Sequence, residues 1–273
     1  MHLPTAEVLP LTAVTHAAAS NMVPDYEVKL LMNPTAVLGS DNKLKATVLS
    51  TFAMPTTVTK MHVQFLDKGT KDMYNAGWSP RIRKTEGEDH FELTYKKRYN
   101  ITSGNIKAAL TTANADGFDS TTTPYDAQVE WGYQKQTLSI SGKNSASDSG
   151  YSGMHLPGQS DSRAMLIHKA PDKFNDWLYD GWGADALASA RIFGPVLAKR
   201  SIGTWGGVKI YIEVWPIRDA VGTGIEYIVE ASFKTGSETT ASTKHDDLVT
   251  FLQSKGWFLA QDSLKTQLIM DRY

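Results

Sequence analysis

The chain has no cysteine in its 273 residues. That removes disulfides, thiolate metal ligands and cysteine nucleophiles together, and it fits a reducing, cytoplasmic compartment. No apolar stretch approaches the ~20 residues that cross a bilayer as a helix, so no membrane span is expected. An excess of charge is also missing: Lys plus Arg total 28 and Asp plus Glu 29, a formal net charge of −1. Such a chain has no global attraction for nucleic acid or an anionic membrane, so any charge-based function must come from local clustering. The seven histidines never pair at three- or four-residue spacing, and only His62 falls where it could face a cavity. Residues 1–23 lack a basic n-region and carry Pro4 and Pro10. They read as a flexible N-terminal arm rather than a signal peptide, leaving 24–273 as a single domain.

Hydrophobic residues at 41% and aromatics at 10% suffice for a large core. The most telling stretch is Asp25-Tyr26-Glu27-Val28-Lys29-Leu30-Leu31. As a strand it places Asp25, Glu27 and Lys29 on one face and Tyr26, Val28 and Leu30 on the other. Alternation returns at Lys60 to Asp67, Ser79 to Lys84, Phe91 to Arg98, Gln128 to Tyr133, Gln136 to Ser141, Val208 to Trp215 and Glu226 to Phe233. Helices are expected at Asn105 to Ala113, within 164–197, from Lys244 to Ser254 behind a Thr243 cap, and in the tail after Ser263. Gly194-Pro195 reads as the stop of a helix. The segment 142–163, rich in Ser, Gly and Asp, reads as a long mobile loop opening an insertion that runs to about 197.

One strand with a charged face is ordinary surface. Repetition of the pattern, with helices available to cover the apolar rows, points to an α+β fold built on a closed antiparallel β-barrel of about eight strands. The apolar rows then face outward under helices, and the charged rows line a lumen. The acids so placed are Asp25, Glu27, Glu213, Glu226 and Glu230; the bases are Lys29, Arg81, Arg83, Lys96, Arg98 and Arg200, the last just before a late strand. Charges this dense need counter-ions. A polyanion suits the bases, and hard divalent cations, Mg²⁺ or Mn²⁺, suit the carboxylates.

These residues resemble the CYTH superfamily, the triphosphate tunnel metalloenzymes. The family's N-terminal Glu-x-Glu-x-Lys is matched by Asp25-x-Glu27-x-Lys29, with Asp in the first place. Its basic pair is matched by Arg81-Ile82-Arg83, and its Thr-x-Lys strand by Thr94-Tyr95-Lys96. The later Arg and strand acid are matched by Arg200 and Glu213. Of the final Glu-x-Glu, Glu230 is present and Ser232 departs, with Glu226 on the same face as a substitute. The resemblance spans roughly residues 25–235, plus a C-terminal helix, and implies a metal-dependent phosphohydrolase acting on a triphosphate or related polyphosphorylated small molecule in a tunnel. It implies Asp25, Glu27, Glu230 and Glu226 as metal ligands or water-orienting groups. Lys29, Arg81, Arg83, Lys96, Arg98 and Arg200 become phosphate clamps, with Glu27, Glu213 and Lys29 at the reacting centre. The alternative is a tunnel barrel that binds or transforms a diphosphate or other anionic metabolite. The expected partner is a small phosphorylated molecule, with neither nucleic acid nor membrane.

Overall fold

A computed structural model describes residues 19–262 and 264–273. The expected arm therefore lies mostly outside the described residues. Its end does not: Ala19 and Ser20 carbonyls accept from Asn114 Nδ2 and Ser120 N–H, and Asn21 bridges Asp119.

In chain order the first half comprises β1 (Asp25–Met32), α1 (Pro34–Val37), α2 (Ala46–Thr51), β2 (Thr59–Asp67), α3 (Asp72–Asn75), β3 (Trp78–Thr85), β4 (His90–Ile101) and α4 (Ile106–Ala115). The second half comprises β5 (Tyr125–Trp131), β6 (Gln136–Ser147), α5 (Gln159–His168), α6 (Asp172–Asn175), α7 (Trp182–Ala188), β7 (Arg191–Trp205), β8 (Val208–Arg218), β9 (Ile225–Thr235), α8 (Glu238–Ser254) and α9 (Lys265–Arg272). The strands close into one barrel in the order β1-β5-β6-β4-β3-β2-β7-β8-β9. Eight of the nine pairings are antiparallel, and β1 beside β5 is parallel.

The barrel thus has one strand more than expected, and that strand is β7. Gly194-Pro195 does not end a helix; it lies inside this 15-residue strand. The register to β2 slips there, with Val63 opposite Val196 but Phe65 opposite Phe193. Gly194 takes φ +104°, and a Cβ on it would stand 3.2 Å from the Val63 carbonyl oxygen. A Gly-Pro step fits a β-bulge because the bulged residue leaves the ladder, where proline's missing N–H costs nothing. Arg200 accordingly sits within a strand rather than ahead of one.

The inverted orientation holds for most of the barrel. Outward rows such as Val28 and Leu30, Phe91 and Leu93, and Ile210 and Ile212 are fully buried in the main hydrophobic core. α8 starts at a Ser237 cap, earlier than the sequence suggests, because Ala241, His245, Leu248 and Leu252 make one buried stripe through it. α4 is capped by Asn105, whose side chain accepts from Ala108 N–H at 3.0 Å. The insertion is anchored by Phe174 and Trp177, which meet the fully buried Trp78 edge-on at 5.3 and 5.5 Å between centroids. Such pairs add ~0.5–1.5 kcal/mol each beyond their buried area.

Strand β2 reverses the pattern. Its apolar row, Met61, Val63 and Phe65, faces the lumen, while His62 and Gln64 face outward. His62 Nδ1 meets the Met154 carbonyl at 2.7 Å. Gln64 Nε2 donates to Pro157 O at 3.0 Å and to Ser162 Oγ at 2.8 Å. The stretch expected as a long loop is therefore partly strand, since β6 runs to Ser147, and partly a segment pinned to β2. The inward row of β2 joins Leu31, Trp215, Ile217 and Ile228 in a second apolar cluster, inside the barrel and sealed by Ile269 and Met270 of α9. The lumen therefore has an apolar half and a charged half. Among the described residues no helix is long and apolar enough to cross a membrane.

Candidate active site

The charged half of the lumen encloses a cavity of about 330 Å³. That lies within the usual range for small-molecule sites. Its walls carry nine lysines and arginines against six carboxylates, an excess of three positive charges. Of the residues expected there, Glu27, Lys29, Arg81, Arg83, Lys96, Arg98, Arg200, Glu213 and Glu230 all line it, with Ser232 among them.

Two do not. Asp25 lies at the exposed start of β1. Glu226 is exposed and held by Arg272 at 2.5 Å, because the lumen face of β9 has already turned apolar at Ile228. Same-face spacing placed Glu226 beside Glu230, but did not reveal how far along the barrel the charged zone extends.

Three further lumen charges carry as much weight. Glu92, on the polar row of β4, accepts from Arg81 Nη2 at 2.9 Å and Arg83 Nη2 at 2.6 Å. Burial works to raise its pKa, but the two guanidinium groups override it and hold the carboxyl down at about 2. Glu130 of β5, 3% exposed, is bound by Lys96 Nζ at 2.6 Å, Lys29 Nζ at 2.9 Å and Ser139 Oγ at 2.9 Å. Burial opposes its ionisation, yet Lys29, Lys96 and Arg98 depress its pKa well below the carboxylate range. Glu130 sits on an alternating strand and could have been singled out by its pattern. Lys265 could not: it opens the terminal helix and reaches the lumen from outside the strand sequence.

Lys265 Nζ lies 2.7 Å from Glu213 Oε2 and 2.8 Å from Glu230 Oε1. Arg200 takes the other oxygen of Glu213 through Nε at 2.9 Å and Nη2 at 2.7 Å, and Trp215 Nε1 donates to Oε2 at 2.8 Å. Burial favours the neutral form of Glu213, but Lys265 and Arg200 hold its pKa far down. For Glu230 burial prevails and raises the pKa, despite Lys265 and Lys29. Glu27 is the least engaged lumen acid, with Lys234 Nζ at 3.8 Å.

The expected divalent metal can be tested against these donors. Of its four proposed ligands, Asp25 and Glu226 lie outside the cavity lining, and Glu230 is occupied by an ammonium group. Among the described residues no group of three or more Asp, Glu or His side chains could hold a metal ion. The donor set does not fit an Mg²⁺ or Mn²⁺ centre, which needs several hard oxygens around one point.

The phosphate-type donors do converge. The Nε–H groups of Arg81, Arg83 and Arg98 are buried without a hydrogen-bond partner. All three guanidinium groups belong to this net-positive lining, where Arg81 and Arg83 are paired with Glu92 and Arg98 Nε lies 3.8 Å from Glu130 Oε2.

No protein-family model matches the chain, and no curated protein does. Solved structures do. A candidate adenylyl cyclase from Hippeastrum, described as revealing a dominant triphosphatase activity, is 14% identical. The match covers 89% of this chain and 93% of that one, with a TM-score of 0.51. A candidate adenylate cyclase from Bacillus halodurans is 11% identical over 92% of this chain and 98% of its own, with a TM-score of 0.50. At such identities the likeness concerns the fold. What is shared is a closed β-barrel with helices packed outside it, the architecture that the resemblance of the motifs implies.

Proposed function

We propose that the barrel binds the polyphosphate chain of a small molecule, an inorganic or organic triphosphate, and hydrolyses its terminal phosphoanhydride. The supporting observation is the charge balance of the lumen: nine lysines and arginines against six carboxylates, three positive charges in excess. A triphosphate supplies both the charge and the oxygens. The second support is the fold shared with a Hippeastrum protein described as a triphosphatase.

In this reading Arg81, Arg83 and Arg200 grip the phosphoryl oxygens, and Lys29, Lys96 and Arg98 neutralise the rest of the chain. Charge on the transferring phosphoryl group is stabilised by groups already in place, which is where most phosphoryl-transfer catalysis arises. A water oxygen attacks the terminal phosphorus, the bridging P–O bond breaks, and diphosphate leaves. Glu27 accepts the water's proton, being the lumen acid least committed to a partner. Phosphate release from tripolyphosphate tests this. Glu27→Gln is expected to lower turnover by ~10²–10⁴-fold, the usual share of a general base, with binding retained; unchanged turnover removes Glu27 from the mechanism.

One observation favours a second reading, binding without turnover. Glu92, Glu130, Glu213 and Glu230 are all engaged by lysine or arginine, and Asp126 pairs with Lys143 at 2.9 Å, so of the six lining carboxylates only Glu27 has no partner closer than 3.8 Å. Calorimetric binding of tripolyphosphate with no phosphate release selects it.

A further inference from the structure

Glu213 of β8 and Glu230 of β9 stand directly opposite each other in the ladder, and both are almost wholly buried. Two buried carboxylates at adjacent positions must either keep a proton between them or hold a cation. In this chain the cation is covalently attached. Lys265 opens α9, the helix that seals the apolar half of the lumen through Ile269 and Met270, and its ammonium bridges the two acids at 2.7 and 2.8 Å. Its Nζ also lies 4.7 Å from the centroid of the Trp215 ring. The site is built around it from several sides: Arg200 and Trp215 Nε1 satisfy the rest of Glu213.

We propose that Lys265 is a resident cation standing where a divalent metal would otherwise be held, so that the lumen binds its anion without metal. An ammonium group carries three N–H donors. Glu213 and Glu230 take two, leaving one for a ligand oxygen at the inner end of the cavity. A metal and this ammonium compete for the same two carboxylates. With no third acid or histidine beside them among the described residues, two carboxylates alone have no advantage over a tethered lysine already in position. The part of the proposal that concerns the anion rests on the polyphosphate reading above; the part that concerns the carboxylate pair does not.

Two measurements on the full chain test it. Mn²⁺ is titrated into the protein, and the free-ion electron paramagnetic resonance signal is followed. The wild type is expected to take up no stoichiometric Mn²⁺. Lys265→Met is expected to bind one ion per chain, about tenfold or more tighter than the wild type, and Lys265→Met/Glu213→Gln to lose it. One Mn²⁺ bound tightly by the wild type and abolished by Glu213→Gln overturns the proposal, as does a folded Lys265→Met with no gain. Lys265→Arg, which keeps a cation, serves if the methionine variant does not fold, and is expected to exclude Mn²⁺ as the wild type does. Separately, tripolyphosphate is titrated calorimetrically in EDTA and in Mg²⁺. Equal affinity in the two supports the proposal, and binding only with Mg²⁺ overturns it while leaving the polyphosphate reading intact. No binding in either condition ends the polyphosphate reading and the anion part of this proposal with it, and the Mn²⁺ result then decides the carboxylate part alone.

Discussion

Lys96 shows how one residue carries opposite signs of pH dependence for folding and for binding. Burial lowers its pKa from 10.5 to about 8, with Arg98 and Lys29 adding to the shift and Glu130 resisting it. Between about 8 and 10.5 the unfolded chain holds this proton and the folded chain does not, so Lys96 makes folding more favourable as pH rises through that window. Anion binding runs the other way: the charge is present below about 8 and lost above it. Tripolyphosphate affinity is therefore expected to fall as pH rises through about 8 in the wild type, and to fall less in Lys96→Arg, whose guanidinium stays charged. Parallel calorimetric pH profiles for the two proteins would contradict this assignment.

Glu92 gives the complementary case. Its pKa is depressed from 4.5 to about 2 despite burial, because Arg81 and Arg83 hold it ionised. A depressed carboxylate contributes stability that is present above 4.5 and disappears as pH falls through about 2. Chemical denaturation is expected to show wild type more stable than Glu92→Gln at neutral pH, with the gap closing in strong acid. The same substitution frees two guanidinium groups, so tripolyphosphate affinity is expected to rise by about tenfold, the equivalent of ~1.4 kcal/mol. A variant as stable as wild type at neutral pH, or one that binds more weakly, would refute the pairing as described.

At the scale of elements, α9 joins the two halves of the lumen. Its first residue engages Glu213 and Glu230, and its later turns carry Ile269 and Met270 into the inner apolar cluster. Ile269→Ala is expected to destabilise the fold by ~2–5 kcal/mol, the range for a large-to-small change in a closed core. Urea denaturation checks it, and a change near zero would mean the helix does not seal the barrel. The elements also show where sequence pattern stops being informative. β1, β4, β8 and β9 were legible because strict alternation puts Glu27, Lys96, Glu213 and Glu230 on one face. β7 was not, because Gly194-Pro195 looks like a terminator until the bulge opposite Val63 is seen. β2 alternates cleanly, but alternation alone cannot say which row faces in; the insertion settles it by bonding His62 and Gln64. Lys265 lay beyond any strand pattern, since a helix delivers it.

For the whole molecule, a chain of net charge −1 carries a local excess of three positive charges in its lumen. A ligand that binds only the folded barrel must stabilise it: at a hundred times its dissociation constant, by ~2.7 kcal/mol. Tripolyphosphate is expected to raise the melting temperature by several degrees, at ~2–4 °C per kcal/mol for a chain of this size. Inorganic sulfate at equal ionic strength should raise it less, because it spans fewer of the basic groups.

The most direct test of the account is calorimetric titration of tripolyphosphate into wild type and into Arg81→Gln/Arg83→Gln, with folding of both verified by their melts. The account predicts one site per chain in the wild type and a loss of at least about a hundredfold in affinity in the double variant, from two charge-assisted contacts worth ~1.5–3 kcal/mol each. A wild type that binds no tripolyphosphate, or a folded double variant that binds it equally well, would contradict the claim that this lumen is a polyphosphate site.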